Sequence, residues 1–249
     1  MKTKCVCICV VVLSVLSPIA LADTIEVAYV AVEAGGNKNV TLDGGGHTNA
    51  NGLLAIDTRN PSGPLANLIG ADTWAYCCQI DAYADFPFNI YNVATLETDF
   101  GSDKAGLISQ LWAQNYDNSW QSDTYIYYGG NQGGWQSGEP SDTAENRQAL
   151  AMVLGIYEII YDFSETLSSL DLSSDRFIAN STNPTGAISI AQGWLDSLVL
   201  PGEYIGPSAQ LLSLTSASCQ NFIVEVPEPI TLCFLGLGGL LLRRKKMRS

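Results

Sequence analysis

Thr24-Ile25-Glu26-Val27-Ala28-Tyr29-Val30-Ala31-Val32-Glu33 decides the fold class. Ile25, Val27, Tyr29 and Ala31 lie on one face of an extended chain, because successive side chains of a strand point to opposite sides. The stretch is therefore an early β-strand. Gly35-Gly36-Asn37 is expected to end it, with Asn39 to Leu42 pairing back, and Gly44-Gly45-Gly46 reads as a turn or loop. Further strands are expected at Leu53 to Ile56, Thr73 to Ile80, Asn89 to Leu96 and Gln210 to Thr215.

Between these strands the apolar period lengthens to that of a helix. From Asp103, the residues Leu107, Ile108, Leu111 and Trp112 recur at helical spacing, with Ser102 as N-cap. From Asp142, the residues Leu150, Val153, Leu154, Tyr157 and Ile160 do the same, and Asp142 with Glu145 resembles a capping box. Ala151, Met152, Ile156 and Ile159 fill the other faces, so this second helix should be buried nearly all round. A third helix is expected at Ser189 to Val199. Strands, a helical block and strands again give an α+β fold, a β-sandwich or barrel-like sheet domain with an inserted helical subdomain.

The two ends read differently. Lys2 and Lys4 precede an apolar run from Cys5 to Leu16, followed by Ala20-Leu21-Ala22. A basic start, a short apolar core and an A-x-A site predict a signal peptide spanning residues 1–22 and cleaved before Asp23. At the far end Pro227-Glu228-Pro229 leads into the apolar run Ile230 to Leu242, then Arg243-Arg244-Lys245-Lys246. That run is short for a hydrocarbon core roughly 30 Å thick, and the basic cluster would stay on the cytoplasmic side of a membrane. Residues 23–226 remain for the exported domain.

Those central residues hold 24 acidic side chains against five basic ones, a formal charge of −19. Such a domain repels nucleic acid and anionic lipid. The excess suits solubility outside the cell. Asp99-Phe100-Gly101-Ser102-Asp103 is the nearest thing to a calcium loop and lacks the EF-hand pattern. His47 is the only histidine, there is no H-E-x-x-H, C-x-x-C or P-loop motif, and no metal or cofactor is expected. A triad hydrolase would have to use His47 without a nucleophile elbow. The chain is not expected to be an enzyme.

The C-terminal arrangement resembles the PEP-CTERM sorting signal, which has a Pro-Glu-Pro motif, a hydrophobic segment and an Arg-rich end in that order. The resemblance implies recognition by exosortase, a membrane transpeptidase of Gram-negative bacteria that make extracellular polysaccharide. It further implies cleavage near Pro227 to Pro229 and transfer to the cell surface or matrix, with the tail as a membrane anchor before processing.

Cys77, Cys78 and Cys219 are the cysteines of the central domain. Exported thiols are usually paired or buried, and a disulfide from Cys77 or Cys78 to Cys219 is one reading of them. Tyr76-Cys77-Cys78-Gln79 also resembles the aromatic-Cys motif of thioester domains in bacterial surface adhesins. Gln148-Ala149-Leu150-Ala151 is similar to the start of that family's helix-borne Gln segment. The resemblance implies adhesion through an internal thioester between Cys77 and Gln148, with Cys78 as the alternative thiol. The bond would be opened by an amine or hydroxyl on a partner, which becomes covalently attached. A rival register sets Gly155-Ile156-Tyr157-Glu158 on the end of the family motif. It places Val153 where the Gln belongs, which keeps the fold and loses the bond. The second functional reading is a non-covalent exopolysaccharide-binding or structural matrix module. It would use the loop Asn115 to Gly138, with Trp120, Tyr125, Tyr127, Tyr128 and Trp135, unless that loop is a hairpin whose aromatics pack on the sheet.

Overall fold

Strand β1 (Thr24–Leu42) turns through Asp43-Gly44 into β2 (Gly45–Ser62), and the two pair antiparallel along nearly their whole length. The computed structural model describes residues 22–82, 87–121 and 142–226. Residues 1–21, the C-terminal segment from Pro227 and most of the aromatic loop lie outside the described residues.

After β2 come β3 (Asp72–Cys77), β4 (Asn89–Thr95), α1 (Leu96–Phe100) and α2 (Ser102–Asn115). Then follow α3 (Ala144–Asp162), β5 (Phe177–Asn183), α4 (Ala187–Leu195), β6 (Leu211–Thr215) and β7 (Phe222–Glu225). The strands run in the order β2-β3-β7-β6-β4-β1-β5, and the β1–β2 pairing joins the ends of the first six into a closed barrel. Closure removes the open edges a sheet of this size would otherwise present. It rests on the first residues of β1, since Thr24 to Val27 pair with β4 on one side and with β2 on the other. Ile25, Tyr91, Val93, Leu214 and Phe222 fill the interior, with the Tyr91 and Phe222 rings 5.6 Å apart. The described part is thus barrel-like, with β5 added along the far half of β1.

Gly35-Gly36-Asn37 does not end the first strand. The strand runs on to Leu42, and the returning partner is β2. A Cβ on Gly36 would collide with the main chain of Asn183 in β5. The glycine therefore marks a close approach of two backbones within a sheet. β5 and β7 are strands that sequence reading did not find, and α1 is an added short helix.

The helices do not stand apart as a separate subdomain. α3 lies against β1, β2, β5, α2 and α4, and all its residues from Ala149 to Ile159 are buried. This agrees with a helix apolar on nearly every face. Its N-cap is Thr143, whose hydroxyl accepts from the Asn146 N–H at 3.2 Å. The cap falls one residue after Asp142, whose carboxylate instead accepts from Arg147 Nε at 2.6 Å. Ser102 is already helical, and Gly101 at φ 81° holds the cap position of α2. Where α3 crosses α2, Gly155 has no side chain, and a Cβ there would sit 2.9 Å from Leu111 Cδ2. The third helix begins two residues before Ser189 and ends at Leu195.

Candidate functional site

Cys77 is the last residue of β3. In the sheet register it faces Phe222 of β7, so its side chain shares the barrel-interior side, while Tyr76 points outward against Trp112 of α2, ring centroids 5.3 Å apart. Cys77 is buried and is an electrostatic neighbour of Lys38. Lys38 is 1% exposed, with its Nζ 4.6 Å from the centroid of the Tyr157 ring. Burial pushes its pKa down to about 8, against the opposing pull of Cys77. The next residues continue toward α3. Tyr157 Oη donates to the Gln79 carbonyl at 3.2 Å, and Ile80 N–H donates to Tyr161 Oη at 3.3 Å. Gln220, 3% exposed, clamps the same carbonyl through its side-chain amide at 2.7 Å.

The helix geometry decides which part of α3 meets these residues. Asn146 Oδ1 accepts from Gly35 N–H of β1 at 2.9 Å, so Asn146 and Tyr157 both face the strands. They are eleven residues apart in sequence, and at about 100° per residue that returns to within roughly 20° of the same direction. Gln148 is two residues past Asn146, about 200° round the helix. It shares its side with Gly155, the residue that abuts Leu111 of α2. It is half-buried there, near the start of the helix and about 13 Å along the axis from Tyr157. The described contacts thus gather Cys77, Lys38 and Tyr157 on the strand side of α3 and leave Gln148 on the other. Val153, one turn before Tyr157, does lie on the strand side and is fully buried. That is the position where the rival register of the sequence motif sets the reactive carboxamide, and it carries an aliphatic side chain.

No disulfide joins Cys77, Cys78 and Cys219. All three are buried thiols, and Cys219 has Ser218 Oγ as a neighbour at 3.5 Å. Burial, then Cys77 and Asp99, push the Cys78 thiol well up, so it stays protonated and unreactive at neutral pH.

Trp120 is not a surface platform. It is buried, its ring 5.6 Å from Tyr116, which in turn stacks 4.8 Å from Trp112. The loop's first two aromatics, Tyr116 and Trp120, are therefore anchored in a cluster with Tyr76 at the barrel wall. Trp135 and the loop tyrosines lie outside the described residues. Asp99 accepts a hydrogen bond from Ser213 Oγ, and among the described residues no group of three His, Cys, Asp or Glu side chains is arranged to hold a metal ion. No helix among them is long and apolar enough to cross a membrane.

Two buried features were missed in sequence. Lys38 follows the Gly-Gly pair that looked like a strand end, and its place on the strand's inner side is visible only once β1 is continuous. Glu158 and Asp162 sit on α3 at a four-residue spacing, a signal present in sequence but hidden by 24 acidic residues in the central part of the chain. No known family, curated protein or solved structure matches the chain.

Proposed function

We propose that this chain is an exported cell-surface or matrix protein, sorted through its C-terminal tail by an exosortase, whose barrel domain acts in adhesion without a covalent thioester. The Pro227-Glu228-Pro229 motif, the apolar segment and the basic end support the sorting. The domain reading rests on one observation: Gln148 lies on the side of α3 away from the strands, and the buried position on the strand side is Val153. A thiolate can form an acyl bond only with a carboxamide it can reach. On this reading the domain works as a non-covalent module, with exopolysaccharide as its partner class. The contact surface on this reading is the aromatic loop beyond Trp120, with Trp135 as the main platform.

Intact mass tests the covalent part. The purified domain is expected to weigh what its sequence predicts and to be inert to methylamine. A mass lower by one ammonia, restored by methylamine on Gln148, would sink the non-covalent reading. Retention on the exopolysaccharide of the producing cells tests the partner, and Trp135→Ala is expected to reduce it by roughly fivefold or more, in line with about 1–3 kcal/mol for a lost stacking aromatic. Unchanged retention would remove the loop as the contact surface.

A further inference from the structure

Glu158 is fully buried on α3, and neither of its carboxyl oxygens has a hydrogen-bond partner among the described residues. Asp162, one turn further along the same face, is 7% exposed. Its Oδ2 accepts from the Phe177 N–H at the start of β5 at 2.8 Å, and its Oδ1 is likewise without a partner. Three buried carboxyl oxygens in one place, two of them on one residue, would be costly if both groups were ionised. A proton on Glu158 changes this. It removes one of two neighbouring buried negative charges, and so eases the repulsion on the carboxylate that holds Phe177.

We propose that Glu158 and Asp162 form a buried proton site that fastens the end of α3 to the chain leading into β5, and that alkaline surroundings release it. The charges facing the pair favour the proton. Asp171 and Asp175, on the segment before β5, add negative charge near Glu158, while the Asp171 main chain acts the other way and favours the ionised form. Arg176 and Lys104 of α2 stand on the Asp162 side, and Lys104 donates to the Ile160 carbonyl. The cations thus favour the ionised form of Asp162 while the acids favour the protonated form of Glu158. Burial, then Asp162, raise Glu158 to about 8, so it holds its proton at neutral pH. Among the described residues no group of three His, Cys, Asp or Glu side chains is arranged to hold a metal ion here. This inference is independent of the adhesion reading.

The test compares the full chain with Glu158→Gln, which keeps a donor at the same place and cannot ionise. The sign follows from linkage. The folded chain holds a proton that the unfolded one gives up above the ordinary glutamate value of 4.5, so stability is greatest below that value and falls until pH passes about 8. The wild-type unfolding constant is expected to rise by up to about tenfold per pH unit across this window relative to Glu158→Gln. As pH passes about 8, protection of the Phe177 amide, corrected for intrinsic exchange, is expected to fall in the wild type relative to Glu158→Gln. Equal slopes and equal protection would overturn the proposal. Should the variant not fold, carbon-detected titration of Glu158 in the wild type decides: a midpoint near 8 supports the site and a midpoint in the ordinary carboxylate range removes it. Calcium that restores wild-type stability at pH 9 but leaves Glu158→Gln unaffected would mark a cation site instead.

Discussion

Lys38 concentrates the physics of the described interior in one side chain. Its ammonium sits over the Tyr157 ring, a favourable contact when desolvated, yet burial lowers its pKa from 10.5 to about 8. Between those two values the unfolded chain holds the proton and the folded chain has released it. Stability therefore rises with pH across that interval, and below about 8 the cost of the buried charge is constant. Lys38→Met keeps the apolar stem and removes the amine. The variant is expected to melt higher than the wild type at pH 7, by up to roughly 3 kcal/mol of stability, with the gap closing by pH 10.5. Thermal melts at a series of pH values check this, and a gap that stays constant with pH would contradict it. Sequence reading could find neither this lysine nor its setting. A lone Lys after Gly-Gly reads as solvated loop until the strand is known to continue.

At the scale of elements, long periodic stretches were legible and close approaches were not. The apolar stripes of α2 and α3 predicted both helices, because a helix buried on several faces repeats its pattern over many residues. β5, with Asn180, Ser181, Thr182 and Asn183, has almost no apolar alternation, and it exists because Gly36 lets it lie against β1. β7 is only four residues long, and its apolar run Phe222 to Val224 takes its meaning from partners β3 and β6 far away in sequence. The α2–α3 crossing depends in the same way on Gly155. Gly155→Leu is expected to destabilise the domain by about 1–3 kcal/mol, through overpacking against Leu111, as read by urea denaturation. Gly155→Ala should cost far less, because Leu111 Cδ2 is the mobile end of a side chain and alanine favours a helix by about 1 kcal/mol. At the other end of the helix, Thr143→Ala removes the cap and is expected to cost about 1 kcal/mol, whereas Asp142→Ala removes an exposed ion pair and should cost less than half of that. Equal losses from the two changes would return the cap to Asp142.

On the scale of the whole molecule, the barrel is closed by its first few residues. The Asp23 carbonyl accepts from Val93 N–H at 2.8 Å, and its carboxylate accepts from Leu65 N–H at 2.8 Å. Thr24 to Val27 then complete the ring between β2 and β4. Val226 N–H donates to the Gln210 carbonyl at 2.8 Å, so the last described residue is tied to the same body. A chain trimmed to begin at Asp23 keeps every one of these contacts and is expected to unfold in a single cooperative transition. Deleting Asp23 to Val27 removes the buried side chains of Ile25 and Val27, about 1.5–3 kcal/mol each, and the hydrogen bonds that close β1 on β4. Against a total stability of about 5–15 kcal/mol for an ordinary domain, that loss is large. It also bares a strand edge on β4, where Ile90 is already 69% exposed, and an open apolar edge is a template for pairing with another chain. The shortened chain is therefore expected to lose its sharp melt and to associate in size-exclusion chromatography. A deletion variant that stayed monomeric with an unchanged transition would mean that these residues do not hold the barrel shut.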